Sequence, residues 1–421
     1  MVDWMKTMPN LHRGVLDNPG FRIACVLGAM AVLLMFGVAG LGHGGMASTN
    51  GDARFLYVAG QLWQSGLSAY GQENALTLSV HPDLVDVVSR YDFAYPAIIA
   101  PLCLLLASFP WDQAKLLMTC INVSGALMLG LLVARLGLRG IPTSSGARWL
   151  MAAFVIGNLT TAYVVWAGQT TILVSVALIA GWHFIRSGKS VLGGALIGVT
   201  LLKPQLVFGV FLWLILERRW KTLVTAAGVA LLLAIYPISI IGPIDLLENW
   251  YMAISHYPAA SYNSLGSRMV FGVQSILHAL GVPAPGWTPF VSIVLIGALW
   301  RIRTKLMPDD ILPLLVGVTL LFGYAHGYDL IIVLTPMIPA FFYHLSGRPL
   351  ASAMGFCLFL LFTLPNSLLE PTGVPVLLHM RVLVLGVGLI WLFLLSKARA
   401  TGRRVLRSVN DMERLEGRGA V

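Results

Sequence analysis

Charge is what this chain has least of. Asp, Glu, Lys and Arg make up 11% of its 421 residues against 57% hydrophobic, where soluble domains carry about 25% charged residues. With a mean hydropathy of +0.80, that shortage excludes a water-soluble globule and describes an all-α polytopic membrane protein. No stretch is polar and long enough to form a soluble domain. Residues 22–396 therefore read as one membrane domain between a cytoplasmic N-terminus (1–21) and a basic cytoplasmic tail (397–421). Cysteine is also scarce: Cys25, Cys103, Cys120 and Cys357 all fall in apolar runs without Cys-x-x-Cys spacing, which excludes a disulfide framework and a zinc ribbon. No His/Glu cluster at ligand spacing is present, so no metal is expected. Transporter-type internal repeats are missing too. The first apolar run lacks a small-residue cleavage site and is expected to stay as an anchor.

What the chain does have is a basic excess, +10 at pH 7. The basic residues cluster at the ends and in short loops, so they are expected to set topology rather than bind nucleic acid. Apolar runs of roughly 20 residues, enough to cross a bilayer, predict about a dozen spans, among them 22–42, 93–109, 113–134, 147–166, 169–185, 191–216, 221–241, 288–304, 311–331 and 332–346. Two long polar linkers, 43–92 and 242–287, are expected to be ordered and on the non-cytoplasmic side. Simple alternation of these spans leaves a conflict. Arg135, Arg186 with Lys189, and Arg218 with Arg219 and Lys221 cannot then all be inside. One resolution makes 191–216 a helical hairpin broken at Lys203-Pro204, with Lys203 at its external apex and lining a cavity.

Five places could carry chemistry. Asp52, directly before the amphipathic run 53–65, is either that helix's cap or a base. Gln169, in Gly168-Gln169-Thr170-Thr171, is either part of a turn or a donor to a sugar or phosphate. Lys203 is costly inside an apolar run, about 2.5–3.5 kcal/mol, so it snorkels, pairs with an internal carboxylate or meets a ligand phosphate. In 242–287, Tyr251, His256, Tyr257, Tyr262, Asn263 and Arg268 make an aromatic and polar cluster suited to carbohydrate; an interfacial aromatic belt is the other reading, which accounts for the tyrosines but less well for Asn263 and Arg268. In Tyr324-Ala325-His326-Gly327-Tyr328-Asp329, His326 and Asp329 are three apart on an expected helical face, and hydrogen bonding to substrate is the favoured reading.

The order of these motifs resembles a known family. Asn50-Gly51-Asp52 through Tyr57, Gly66, Tyr70 and Tyr95-Pro96 look like the opening of the C-type membrane glycosyltransferases. Gly168-Gln169, Gly194…Gly198…Lys203-Pro204 and Arg218-Arg219-Trp220 are similar to family 87, the polyprenol-phosphate-mannose-dependent mannosyltransferases. The resemblance implies a bundle of about 10–13 transmembrane or re-entrant helices with amphipathic helices in its first external loop. It also implies an active site at the external face of a bacterial inner membrane. The donor would be a polyprenyl-phosphate sugar, most often mannose, the acceptor a glycolipid or envelope glycan, and no cofactor would be needed. Carried over to this chain, Asp52 is the base of an inverting transfer, and Lys203, His326, Gln169, Arg268, Asn263, Tyr57 and Tyr95 bind substrate. The rival reading is a transporter or flippase of lipid-linked saccharides.

Overall fold

The computed structural model describes residues 18–38, 51–89, 91, 93–136, 145–259, 263–267, 269–283, 286–345, 354–355, 357–358, 360–361 and 379–418. Its apolar runs form helices, as a chain with no water to satisfy its backbone requires. The helices α1 (Pro19–Val32), α2 (Ala53–Gln64), α3 (Ala100–Ala107), α4 (Trp111–Leu136), α5 (Ser145–Gly157), α6 (Leu159–Ala167), α7 (Thr171–Arg186), α8 (Ser190–Val199) and α9 (Pro204–Leu216) come first. They are followed by α10 (Trp220–Leu233), α11 (Ile235–Ile241), α12 (Pro243–His256), α13 (Thr288–Ile302), α14 (Ile311–Phe322), α15 (Ile331–Leu345) and α16 (Met380–Arg418). One two-residue antiparallel ladder joins Val270–Phe271 to Ala325–His326.

Among the described residues, three helical stretches, Trp111–Arg135, Gly327–Leu345 and Met380–Gly402, are by themselves long and apolar enough to cross a membrane, and two bent pairs, α5 with α6 and α10 with α11, bring the number to as many as five. The other apolar helices are shorter. The run 93–109 is shorter than a span, because its helical part, Ala97–Ala107, is about 16 Å long against about 30 Å of hydrocarbon. Instead α3 packs on the first-loop helix α2.

Removing that crossing ends the conflict among the basic loops, and the glycines of α8 show how. A methyl added at Gly194 would lie 2.6 Å from Thr222 O, and one at Gly198 2.7 Å from Ala226 O. Both numbers rise together, so α8 and α10 run parallel. The intervening α9 therefore runs back against α8, which makes 190–216 a hairpin with Lys203 at its tip.

Every basic loop described then gathers at one end of the bundle. There Arg186 pairs with Asp309, Arg303 Nε meets Glu217 Oε1 at 2.7 Å, and Lys189 and Lys221 line one shallow cavity. Ser396 Oγ accepts from Met307 N at 2.8 Å, and Arg399 Nη1 donates to Tyr343 O at 2.6 Å. The opposite end holds Asp52, Gln169, Lys203 and His326, as described below.

Close packing of α2 on α3 carries the first loop, since a Cβ at Gly60 would sit 2.1 Å from Cys103 O. Gly60→Val is expected to cost at least about 1–3 kcal/mol, read as a lower thermal transition in detergent. Gly228→Ala, where the added methyl meets nothing within 4 Å, should leave that transition unchanged.

Candidate active site

Two breaks in helical spans and one hairpin tip meet at the end opposite the basic loops. The first break is built by Asn158, whose Oδ1 accepts from Thr161 N at 2.9 Å and caps α6 after a 42° bend. Gly168 then ends α6 with φ 69°, a left-handed conformation that glycine adopts without strain. That turn delivers Gln169 to the interior.

Asp52 arrives from the other side. Its backbone N–H donates to Ala167 O at 2.8 Å, which ties the start of α2 to the end of α6. The side chain makes no capping bond to its own helix; it turns instead to Gln169, whose Nε2 donates to Asp52 Oδ2. The amide's orientation is set by Tyr95, whose hydroxyl donates to Gln169 Oε1 at 2.6 Å, and Nε2 also reaches Tyr328 Oη at 3.1 Å. Tyr95 is held in turn because its carbonyl accepts from Tyr70 Oη at 2.9 Å, and its neighbour Ala94 O accepts from Trp250 Nε1 at 3.1 Å. Asp52 is half-buried, and its Oδ1 accepts no hydrogen bond from the described residues. Burial pushes its carboxyl above the ordinary 3.8, while the Gln169 bond and then the Lys203 charge pull it back.

Lys203 sits in a closed box. Its Nζ donates to Asp329 Oδ1 at 2.8 Å and to Thr171 Oγ1 at 2.9 Å, and lies 4.8 Å from the ring centre of Tyr328 and 5.9 Å from that of Tyr95. Thr171 Oγ1 donates onward to Asp329 Oδ1 at 2.7 Å. Of the three fates open to this lysine in the sequence, pairing with an internal carboxylate is the one adopted.

His326 and Asp329 are not on one helical face, which corrects that expectation. His326 lies in the two-residue ladder and precedes a turn of 3-10 helix (Gly327–Leu330), where Asp329 Oδ2 accepts the His326 backbone N–H at 3.0 Å. The ring of His326 stacks on Tyr328 with centroids 5.0 Å apart, and its Nε2 donates to the fully buried Asn263 Oδ1 at 3.1 Å. Burial holds its pKa down at about 4, so the ring is neutral with Nδ1 as its lone-pair atom.

Gln169 thus joins Asp52 to Tyr95 and Tyr328, and Lys203, His326 and, through His326, Asn263 are gathered on Tyr328. Tyr57 does not join them: its hydroxyl donates to Phe109 O at 3.0 Å and its ring meets Trp111 edge-on. Arg268, Tyr262 and Asp92 lie outside the described residues. Sequence reasoning gave no role to Thr171 or Tyr328 and took Asp329 as a partner of His326 rather than of Lys203. A signal for Asp329 was present, since it is the one acidic residue in the apolar stretch 311–346 and a membrane-embedded lysine calls for a carboxylate. Among the described residues, no three His, Cys, Asp or Glu converge as a metal site would need.

The Lys203–Asp329 pair is 6% and 1% exposed, so removing one partner strands a buried charge. Lys203→Met is expected to destabilise by roughly 3–5 kcal/mol. Adding Asp329→Asn, which keeps an acceptor for the His326 N–H, should recover most of that loss in thermal unfolding.

No curated protein and no solved structure shows significant similarity to the chain. The sequence model of glycosyltransferase family 87 matches residues 93–324, more than half of the chain, and so takes in Tyr95, Gln169, Lys203 and Asn263, while His326 lies just past its end and Asp52 well before its start. A sugar donor and an acceptor are what such an enzyme brings together at a site like this one, and on that match the chain belongs to glycosyltransferase family 87.

Proposed function

We propose that this glycosyltransferase moves a sugar, most often mannose, from a polyprenyl phosphate to a hydroxyl of a glycolipid or envelope glycan, with Asp52 as general base. The observation that carries the reading is the state of that carboxylate: one oxygen is fixed by Gln169, the other is free, and burial has raised its proton affinity. A base works best when its pKa approaches the working pH. Asp52 Oδ1 takes the acceptor's proton while the acceptor oxygen attacks the anomeric carbon. The bond from that carbon to the phosphate oxygen breaks, and the polyprenyl phosphate leaves as an anion.

Inversion follows from what Asp329 is doing. A retaining route needs a second carboxylate as nucleophile, about 5–5.5 Å from the first. Asp329 is buried and occupied by Lys203, Thr171 and the His326 N–H. Lys203 lends its charge to Asp52 from behind the aromatic wall rather than as a free hand for phosphate. The site end is read as the external face of a cytoplasmic (inner) membrane because the basic loops lie at the other end, where the positive-inside rule puts the cytoplasm.

Purified enzyme given polyprenyl-phosphate mannose and extracted lipids is expected to transfer label to a lipid product, and Asp52→Asn to lower that rate by about 10²–10⁴ while the protein keeps its thermal transition. Undiminished transfer by Asp52→Asn would remove the base assignment. The pH profile checks the geometry separately. Only the unprotonated carboxylate accepts a proton, so activity should fall as pH drops through a pKa above 3.8. Gln169→Leu removes a bond that favours the charged form, and its acid limb is expected at higher pH than in the wild type. His326, already neutral above about 4, should add no second limb between pH 5 and 8.

A further inference from the structure

Helix α12 divides its surface into three. At about 100° per residue, Leu246, Asn249, Trp250 and Ala253 share the side turned to the protein. Leu246 is 5% exposed, Trp250 donates to Ala94 O, and Asn249 Nδ2 meets Ser68 Oγ at 3.4 Å. A second sector of about 80° carries Ile244, Leu247, Tyr251 and Ile254, exposed by 69%, 63%, 66% and 37%. The remaining sector carries Asp245, Glu248, Ser255 and His256, all exposed, with Met252 among them. A helix at a protein–water boundary has two faces. Three are required only where protein, water and hydrocarbon meet.

The depth of α12 is set at both ends. It starts two residues after Ile241, where the bent span α10–α11 ends, and the intervening Gly242 makes the corner with φ 90°. It finishes at His256, and the next residue, Tyr257, has its ring edge-on at 6.3 Å to His326, which lies one residue before the span Gly327–Leu345. A rod of 14 residues, about 21 Å long, therefore joins the ends of two spans at the same end of the bundle. It runs along the membrane surface rather than through it. The adjoining span shows the same kind of exterior, with Val224, Leu231, Leu232 and Ile235 exposed.

We propose that α12 is an interfacial helix whose stripe of Ile244, Leu247, Tyr251 and Ile254 is immersed among the acyl chains of the leaflet at the site end. The occupant of this face is phospholipid hydrocarbon, and Asp245 and Glu248 mark the water side. Through Tyr257 and Trp250, the helix fixes His326 and Tyr95 at headgroup depth. A substrate whose reacting group lies at that depth meets Asp52 without leaving the membrane. This placement suits the lipid-borne donor proposed above and does not rest on it.

The test is spin-label accessibility in nanodiscs of phosphatidylethanolamine and phosphatidylglycerol. The full chain would have its four cysteines replaced by alanine and one cysteine restored at 245, 247, 248 or 251. Labels at 247 and 251 are expected to collide with oxygen several-fold more, relative to a water-soluble nickel chelate, than labels at 245 and 248. Equal access to nickel at all four positions would overturn the proposal. So would protection of 247 and 251 from both reagents with dipolar broadening, which would mean that a second copy covers the stripe. Hydroxyl-radical footprinting of the unaltered chain in the same nanodiscs needs no substitution: oxidation of Met252 with protection of Tyr251 is expected, and equal oxidation of both would overturn the placement.

Discussion

A lysine within an apolar layer has to be neutralised where it stands, and Lys203 organises this structure because it is. The hairpin α8–α9 presents it, the break before α7 supplies Thr171, and the break between α14 and α15 supplies Asp329. Three interruptions of helical spans are therefore held together by one charge pair and its hydrogen bonds. Each interruption alone would leave backbone groups unsatisfied in hydrocarbon. Together they make a polar interior in which irregular backbone is tolerated, and that interior is where the site lies.

The same interior treats its two carboxylates differently. Asp329 touches an ammonium, a hydroxyl and a backbone N–H, which occupy its lone pairs. Asp52 is pushed up by burial and, less, by the charge of Asp329, and pulled back by one amide bond from Gln169 and by the charge of Lys203. The first is thereby a fixed strut, and the second a group able to exchange a proton. Gln169 separates the two roles. Its amide satisfies Asp52 on one side and Tyr95 on the other, so the carboxylate is oriented without being neutralised.

Much of this was legible in the chain, and the reasons for the rest are physical. The scarcity of charge and the length of the apolar runs point to an all-helical membrane protein. Lys203-Pro204 points to a broken hairpin, because proline and lysine both disfavour an unbroken span. The segment 93–109 misled because apolar composition cannot distinguish a helix that crosses lipid from one buried under a loop; only the packing of α3 on Gly60 decides it. Tyr57 misled for a similar reason, since sequence proximity to Asp52 says nothing about which face of α2 it occupies. Five residues on, Tyr57 lies on a face that packs against Trp111, while Asp52 is bonded across to α6. His326 and Asp329 were read with helical spacing, and the break between α14 and α15 replaced that with a ladder and a 3-10 turn.

The extent of the family match bears on how such a site is assembled. Residues 93–324 include the frame: Tyr95 and Gln169 that orient Asp52, Lys203 that pairs with Asp329, and Asn263 that holds His326 through its Nε2. Both carboxylates come from the flanks, Asp52 before the matched segment and Asp329 after it. Neither could keep its state alone. Asp52 without Gln169 would be free to cap its own helix, as its position before Ala53 invites, and Asp329 without Lys203 would be an unpaired charge in the bundle. The matched segment is thus the part that makes two otherwise costly acids possible. The proposed reaction needs both, one to take a proton and the other to keep the lysine that lends its charge in place.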